Sequence, residues 1–461
     1  MLIWAALFPL APRLAGAATL EPHALVRGAE VVTASVRAGG GTWRTGPWDD
    51  IDRTPVDPGR YQVRFSADGE HEGDGVEVPH CAGRERVTLD GRDLHAAPGP
   101  LVVALAPGPH DVVIEVVVSS YERRIACGDR PRVGVAERAS VGLGVVRFSS
   151  PSSNRGGGRA VVYVPPGHDG RVPSPLLVGL HPWNGSIWTY AAYAQLLREA
   201  RARDLLLLMP CGLGNSLYTA DAEDEVMRAI AAVSEVLSID GRAVSLWGAS
   251  MGGAGATTIG FHRPDRFASV VSFFGDSKYD LTTYARSILP NEGAAHLVNA
   301  LDVVDNARDL SVWLIHGEDD RTSPIRQSEM LAARMQERGL PVRFDRVQGA
   351  GHSAALVARF LPALVAFAAS SRTPEPVRRV TYRSVRASDT RVYGLRITRA
   401  SSGGDAFVDV ERGDDAVHVR RAEGVRALGL SRGAFGTPAG DPPPIVVDDR
   451  AADKLDAHWE R

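Results

Sequence analysis

Polar and hydrophobic residues alternate along much of the first third of the chain. The run Tyr61–Phe65 alternates strictly, and Val112–Val118 is almost wholly apolar; Gly, Pro and Asp separate such runs. Alternation with a period of two is typical of strands that bury one face, and the separating residues favour turns. The pattern predicts a β-sandwich-like domain over residues 19–140.

The pattern changes near Val141, where short apolar runs begin to alternate with stretches that have the periodicity of amphipathic helices. The predicted strands are Leu176–Leu180, Leu205–Met209, Val244–Trp247, Val270–Phe274, Val312–Ile315 and Val342–Val347. The predicted helices cover residues 188–201, 223–237, 251–262, 324–338 and 353–369. Strands that alternate with helices predict an α/β domain with a mostly parallel, doubly wound sheet over residues 141–371.

Strand-like alternation returns after the Pro-containing linker Ser370–Pro376. The predicted strands are Val377–Tyr382, Val392–Ile397, Ala406–Val410 and Val417–Val419. They indicate a small β-rich module over residues 372–461. Its Pro-rich end predicts a loosely constrained tail.

Residues 1–18 have the pattern of a signal peptide. The apolar run Leu2–Leu10 precedes the small residues Ala15–Ala17, which is the order of core and cleavage site in secretory signals. We therefore expect a secreted or periplasmic protein. No Lys or Arg precedes the run, so a buried first strand is the alternative. No later stretch has the ~18 uninterrupted apolar residues of a membrane span, and no transmembrane segment is expected.

Composition excludes several classes of function. Apolar residues make up 44 % of the chain and charged residues 23 %, which is ordinary for a globular protein. With 52 basic and 55 acidic side chains, the net charge is −3. No global positive field draws the chain to phosphates, so nucleic acid is not expected as a partner.

The sequence contains no pattern typical of a metal or nucleotide site. Its 3 cysteines and 13 histidines lack the spacing of metal ligands, and no glycine-rich phosphate-binding motif is complete, so we expect neither a metal nor another cofactor. In an exported protein, Cys81 and Cys127 would be able to form a disulfide and leave Cys211 free. Three buried thiols are the alternative.

The segment Gly248–Gly253 carries the main chemical signal. Ser250 stands in a G-x-S-x-G pattern between a predicted strand and a predicted helix, the context of a nucleophile elbow. Such a turn holds the serine hydroxyl above the sheet and directs the helix N-terminus at charge developing on the substrate. A glycine-rich turn with an incidental serine is the alternative.

A serine nucleophile needs a base and an acid, which in this type of sheet follow it in the order Ser, acid, His. His352 follows the strand that ends at Val347 and is the predicted base. Asp320, which follows the strand Val312–Ile315, is the first choice for the acid that orients the imidazole. Asp319 is the second choice and Asp276 the third.

The oxyanion of an acyl-transfer intermediate requires two backbone N–H donors. Met251, directly after the serine, is the first. The second is expected from the loop after Leu180, where Pro182 has no N–H and leaves Trp183 or Asn184 as donor. Trp183 would also line the acyl pocket, with a core position as its alternative role.

Residues 141–371 resemble the α/β-hydrolase superfamily and, within it, the catalytic domains of prolyl-oligopeptidase-like serine hydrolases and esterases. The matching segments are Leu180–His181, Gly248–Gly253, Arg263–Phe267, Ile315–Asp320 and Gly349–Ser353. The resemblance implies Asp320 as the acid, because the family places it last in a His-Gly-x-x-Asp pattern. Two features depart from the family: Pro182 stands where Gly is more frequent, and the N-terminal region is too short for a β-propeller.

The sequence thus predicts an exported serine hydrolase that cleaves small-molecule or polymeric esters through an acyl-enzyme on Ser250. A serine peptidase of the prolyl oligopeptidase type is one alternative. The other is a non-catalytic protein whose β modules bind a polysaccharide or a protein, with the hydrolase scaffold retained. Trp43 and Trp48 are the only candidates for stacking on sugars, and core positions are their alternative role.

Overall fold

The computed structural model describes residues 18–153, 157–282, 284–431, 434–436, 442–448 and 455–460. The predicted signal peptide falls, except for Ala18, outside the described residues. Among the described residues, no helix combines the length and hydrophobicity needed to span a lipid bilayer.

The N-terminal region consists of strands, as the alternation predicts. They are β1 (Thr19–Glu21), β2 (His23–Glu30), β3 (Thr33–Ala38), β4 (Arg44–Pro47), β5 (Gly59–Gly69), β6 (Asp74–Val78), β7 (Arg84–Leu89), β8 (Arg92–Asp93), β9 (Leu101–Ala104), β10 (Gly108–Val118) and β11 (Arg132–Ala139). Two sheets form, with the strand orders β4-β3-β5-β10-β7-β8 and β2-β11-β6-β9.

The two sheets enclose one hydrophobic core. Alternate residues of the long pair β5 and β10 point inward, among them Val63, Phe65 and Ile114, while their neighbours are more exposed. Cys81 and Cys127 form a disulfide within this core. The sequence allowed either this disulfide or three buried thiols, and the structure contains the disulfide. Cys211 remains a free thiol.

Strand β1 does not join the N-terminal sheets. Thr19–Glu21 pairs antiparallel with the first strand of the following α/β domain, although the sequence assigned residue 19 onward to the sandwich. Three residues are too few for alternation to reveal which sheet they join.

The α/β domain is built on a nine-stranded sheet. After β1, its strands are β12 (Gly142–Ser149), β13 (Gly157–Val164), β14 (Ser174–Leu180), β15 (Leu206–Pro210), β16 (Ile239–Ala249), β17 (Ser269–Phe273), β18 (Ser311–Gly317) and β19 (Val342–Val347). Their order is β1-β12-β13-β15-β14-β16-β17-β18-β19, and all pairs from β15 onward are parallel. The six predicted strands correspond to β14–β19.

Helices cover both faces of this sheet. They are α1 (Ala194–Arg201), α2 (Asp221–Val236), α3 (Met251–His262), α4 (Glu292–His296), α5 (Arg326–Glu337) and α6 (Ala354–Ser370). Leu176 and Val178 pack with α2, α3 and α5 on one face, whereas Leu177 packs with α1 and α6 on the other. The fold class predicted from the sequence is confirmed. Strands buried on both faces read as continuous apolar runs, which is why they were recognisable.

The segment between β17 and β18 is an excursion whose short helices were not predicted from the sequence. It contains α4 and the 3₁₀ segments Tyr279–Leu281, Tyr284–Ser287 and Ala300–Ala307. Helices of one turn leave no periodic pattern to detect. Because the excursion starts at the carboxyl end of β17, it lies next to the candidate site.

The C-terminal module is a second, smaller pair of sheets. Its strands are β20 (Arg379–Ser384), β21 (Arg391–Val392), β22 (Leu395–Arg399), β23 (Ala406–Arg412), β24 (Val417–Glu423), β25 (Val425–Leu430), β26 (Ile445–Val447) and β27 (Asp456–Trp459). The sheets have the orders β20-β23-β24-β26 and β21-β22-β25-β27.

The predicted loose tail is wrong for its described parts. Strand β26 pairs parallel with β24, and β27 with β25. The indole N–H of Trp459 also donates to the carbonyl of Pro443 at 2.9 Å. These segments are short and close the edges of existing sheets, so their pairing depends on tertiary contacts that composition does not reveal.

A buried ionic cluster fixes the C-terminal module to the α/β domain. Glu223 accepts from Arg263 at 2.8 Å and from Arg386 at 2.6 Å, and Asp389 lies 2.7 Å from His262. Burial opposes ionisation of Glu223, but Arg386 and Arg263 outweigh it and hold the pKa of this carboxyl below its usual value. Since the cluster joins α2 and α3 to the loop before β21, it holds the module close to the elbow helix.

Candidate active site

Ser250 occupies the sharp turn between β16 and α3. Its backbone has φ 57° and ψ −122°, and its N–H donates to the carbonyl of Phe273 at 2.9 Å. Glycine is required beside it, because a Cβ on Gly252 would lie 1.8 Å from the carbonyl oxygen of Leu180. The turn therefore holds a partly exposed Ser250 at the carboxyl edge of the sheet, as expected for a nucleophile elbow.

His352 lies on the loop between β19 and α6, and its ring reaches Ser250. Its Nε2 is 2.8 Å from the Ser250 Oγ, and its Nδ1 is 2.7 Å from Oδ2 of Asp320. The ring packs against Phe274, with centroids 4.4 Å apart. Three side chains that are far apart in the sequence thus form one hydrogen-bonded row.

Asp320 is held as a buried carboxylate. Its Oδ1 accepts the backbone N–H groups of Thr322 and Ser323 at 2.8 and 2.9 Å. Burial by itself would raise its pKa, but His316, His352 and the Ser323 N–H outweigh burial and hold the pKa well below its usual range. An ionised Asp320 makes Nδ1 of His352 the protonated nitrogen, so Nε2 is free to accept the serine proton.

The structure does not place the two other candidate acids against the imidazole. Asp319 is exposed. Asp276 is buried, but its carboxyl group accepts from the hydroxyls of Tyr284 and, at 2.6 Å, Ser323. Burial raises the pKa of Asp276, which makes it a poor partner for an imidazolium. Only Asp320, of the three, contacts His352.

The predicted oxyanion donors lie on two segments, the start of α3 and the loop after β14. Met251 is the first residue of α3, so its N–H has no acceptor within the helix. Within the described residues, the N–H of Trp183 has no acceptor either, whereas the N–H of Asn184 donates to the side chain of Asn215 at 2.7 Å. This geometry favours Trp183 over Asn184 as the second donor.

The part of the chain that carries these three residues is similar to a known family. Residues 215–368, which contain Ser250, Asp320 and His352, match the prolyl oligopeptidase family. The α/β domain is an α/β-hydrolase domain. The match confirms the resemblance stated from the sequence and supports a serine hydrolase of the prolyl oligopeptidase and esterase type. No curated protein sequence matches the chain significantly.

Several solved structures share this fold. An S-formylglutathione hydrolase from Agrobacterium tumefaciens is 18 % identical, with 51 % of this chain and 97 % of that chain covered and a TM-score of 0.45. A thermostable esterase is 15 % identical, with coverages of 69 % and 97 % and a TM-score of 0.43. Dipeptidyl peptidase 4 from Porphyromonas gingivalis is 12 % identical, with coverages of 50 % and 35 % and a TM-score of 0.42. The three include an esterase and a peptidase.

Tyr190 connects the elbow of the α/β-hydrolase domain to the oxyanion loop. Its buried hydroxyl donates to the carbonyl of Leu180 at 2.9 Å and accepts the N–H of Ala249 at 3.1 Å. Leu180 precedes the loop that carries Trp183, and Ala249 precedes Ser250. One phenol thus sets the separation of the two strand ends. The sequence contained no signal for this role, since a buried tyrosine resembles any core aromatic residue.

The N-terminal domain also contacts the site. The ring centroid of Tyr121 is 6.1 Å from that of His352, and its carbonyl accepts the N–H of Ala354 at the start of α6, at 2.8 Å. The Tyr121 hydroxyl is buried and has no hydrogen-bond partner among the described residues. The sandwich therefore positions the histidine loop of the α/β-hydrolase domain, which the sequence did not predict.

Two exposed aromatic rings lie beside the oxyanion loop. Trp183 is 38 % and Tyr284 39 % exposed, and their rings meet edge to face with centroids 5.9 Å apart. The exposure of Trp183 excludes the alternative of a core position. Tyr284 belongs to the excursion after β17 and is fixed through Asp276. Together they present an apolar wall beside the oxyanion loop.

The two tryptophans proposed from the sequence for stacking on sugars, Trp43 and Trp48, pack within the N-terminal domain. Trp48 is buried in the core of the sandwich, and the guanidinium of Arg37 covers Trp43 at 4.4 Å. Trp48 is therefore not open for stacking on a sugar, and a guanidinium already lies over the ring of Trp43. The described residues contain no group of three or more His, Cys, Asp or Glu in a metal-binding arrangement.

Proposed function

We propose that this chain is an exported serine hydrolase that cleaves carboxylic esters through an acyl-enzyme on Ser250. The observation that carries the proposal is the hydrogen-bonded row Ser250, His352 and Asp320, with contacts of 2.8 and 2.7 Å. These distances are within the reach that proton transfer between a nucleophile and its base requires.

The proposed reaction uses each group once in each half. Ser250 attacks the ester carbonyl while Nε2 of His352 takes its proton, and the resulting imidazolium is stabilised by the carboxylate of Asp320. The oxyanion accepts from the N–H groups of Met251 and Trp183. The tetrahedral intermediate collapses as His352 protonates the leaving alcohol. Water, activated by His352, then releases the acid and restores Ser250.

Two features support esters over peptides as substrates. The carboxyl groups of Asp276 and Asp320 are both hydrogen-bonded within the protein, so neither is free to bind the ammonium group of a peptide. The N-terminal region forms two packed sheets and not a propeller whose channel selects oligopeptides. The apolar wall of Trp183 and Tyr284 is suited to a hydrophobic acyl group. A peptidase of the prolyl oligopeptidase type remains the second candidate, on the family match alone.

Export is supported by two independent observations. The apolar run Leu2–Leu10 has the pattern of a signal peptide core, and Cys81 and Cys127 form a buried disulfide, a bond that persists mainly in oxidising compartments. Fractionation of cells that express the full chain, with mass spectrometry of the N-terminus, tests this. A protein that stays in the cytoplasm with its first residues intact would contradict export.

Covalent labelling tests the catalytic proposal. We expect a fluorophosphonate probe to label the wild type and Ser250→Ala to abolish both labelling and p-nitrophenyl ester turnover. Ser234→Ala, on α2, is the matched control and should behave as the wild type. A panel of esters and peptide amides then compares the two substrate classes. A folded wild type that is neither labelled nor active would instead favour the non-catalytic binding protein.

A further inference from the structure

A cavity lies between the N-terminal domain and two helices of the α/β-hydrolase domain, apart from the serine site. Its volume is about 290 Å³. The lining residues are Asp52, Arg53, Pro55, Arg123, Arg124, Gln195, Ala355, Ala358 and Arg359. Gln195 belongs to α1, and the last three belong to α6.

Positive charge dominates the lining, since four guanidinium groups face one carboxylate. Among the described residues, the ion pairs of Arg53 and Arg123 are long, with Asp50 at 3.9 Å and Asp57 at 3.8 Å, and Asp49 and Asp52 also attract Arg53. No ion pair to Arg359 is present among the described residues. By contrast, Arg130 at the same domain boundary lies 2.6 Å from its acidic partner Asp49. The lining therefore holds more guanidinium groups than carboxylates, and only Arg124 has a close acidic partner, Glu122, in the part of the chain that the structure describes.

Arg124 provides an independent observation that points to a ligand. Its side chain is 4 % exposed, and Nε donates to Glu122 at 3.1 Å. Its Nη2 is buried without a hydrogen-bond partner among the described residues. Oδ1 of Asp52 is in the same state. Because a buried, unsatisfied charged group is costly, a ligand that accepts from Arg124 Nη2 would be stabilised here.

We propose that this cavity binds a small oxyanion, with the chemistry shared by phosphate, sulfate and carboxylate groups. Guanidinium groups bind such anions through paired N–H donors. Arg53, Arg123 and Arg124 from the N-terminal domain and Arg359 from α6 would converge on it. The ligand would thus contact side chains of both domains.

Asp52 does not prevent this binding. Burial raises the pKa of its carboxyl group, although nearby arginines oppose the change. The group therefore holds a proton more readily than an exposed aspartate. In its protonated form it donates a hydrogen bond, which would serve an oxyanion.

Thermal unfolding tests the site without any measure of catalysis, so its outcome is independent of the proposed function. We expect sulfate to raise the melting temperature by several degrees along a saturating curve, compared with sodium chloride at equal ionic strength. Ligands that bind only the native state act in this way. Arg359→Gln and Arg53→Gln should each weaken the apparent affinity about tenfold, through loss of a charge-assisted hydrogen bond.

The control is Arg171→Gln. Arg171 is exposed and has one acidic neighbour, Asp169 at 3.7 Å, so this variant should keep the full response. Calorimetric titration with phosphate, sulfate and succinate distinguishes a phosphate-like from a carboxylate ligand. General stabilisation by sulfate does not saturate and does not depend on one arginine. An equal, non-saturating response in all four proteins would overturn the proposal.

Discussion

Asp319 and Asp320 are adjacent in the chain, but their surroundings differ: Asp320 is buried and Asp319 is exposed. Oδ2 of Asp320 meets the imidazole of His352 at 2.7 Å. The carboxylate selects the tautomer that leaves Nε2 free for the serine proton. Replacement of Asp320 is therefore expected to impair proton transfer from Ser250 to His352.

We expect Asp320→Asn to lower kcat by about 10³–10⁴-fold, because the amide favours the wrong tautomer of His352. The melting temperature should change far less. Steady-state turnover of a p-nitrophenyl ester measures the effect, and Asp319→Asn is the matched control, with near-normal kcat. Equal losses in the two variants would contradict the assignment of the acid.

The sequence located residues whose position depends on local structure, such as the turn at Ser250 between strand and helix. The elbow around Ser250 is defined by adjacent glycines and by the change from strand to helix. Both features can be recognised in the amino-acid sequence. The choice between Asp319, Asp320 and Asp276 required coordinates, because all three follow strands at the same edge of the sheet. The choice between Trp183 and Asn184 likewise depended on a contact with a distant residue, Asn215.

At the level of elements, the phenol of Tyr190 joins the end of β14 to the end of β16. It reaches Ala249, 59 positions further along the chain. Without it, the buried N–H of Ala249 and the carbonyl of Leu180 would lose their partner, at a cost of about 1–3 kcal/mol. The two oxyanion donors follow these strand ends, so the phenol is a positioning residue.

We expect Tyr190→Phe to lower kcat about tenfold or more while KM changes little, because the oxyanion forms only during the reaction. Tyr193→Phe is the matched control: its hydroxyl contacts Glu122 at 3.3 Å and not the strand ends. Measurement of kcat, KM and melting temperature for both variants separates positioning from stability. Identical kinetic effects in both would show that Tyr190 acts only in packing.

Periodic patterns predicted the elements of the central sheet and missed those without periodicity. Strands β14–β19 and helices α2, α3, α5 and α6 were recognisable because each repeats over several residues. Helix α1 begins at Ala194 and not at 188, since Tyr190–Ala192 forms a separate 3₁₀ turn. The short excursion after β17 and the strands β26 and β27 depend on contacts with distant partners, which a single sequence does not contain.

At the scale of the whole molecule, the interface between the sandwich and the α/β domain contains a titratable group. His80 packs on Trp188 with ring centroids 5.6 Å apart, and its Nδ1 accepts the N–H of Gly99 at 3.3 Å. Burial, and to a lesser degree Arg84, lower the pKa of His80 to about 3. The imidazole is therefore neutral in the folded protein.

This shift predicts a loss of stability as the pH falls. Below pH 6.5 the unfolded chain binds a proton at His80 that the folded protein does not, so between pH 7 and pH 5 the free energy of unfolding should fall by about 2 kcal/mol from this group. Urea unfolding at both pH values measures it. His80→Gln should remove that part of the decrease, and His95→Gln, on an exposed histidine, should not. An unchanged decrease in His80→Gln would refute the prediction.

The pairing of Thr19–Glu21 with β12 makes the sandwich an insertion within a single sheet and not an appendage in front of it. The chain first adds a strand beside the hydrolase core, then builds the sandwich, and then returns to lay β12 against that first strand. A polypeptide cut to begin at Val141 would therefore carry a bare β12 edge, which invites pairing with a second molecule. Any minimal catalytic fragment of this protein therefore has to retain both β1 and β12, the strands on either side of the inserted sandwich.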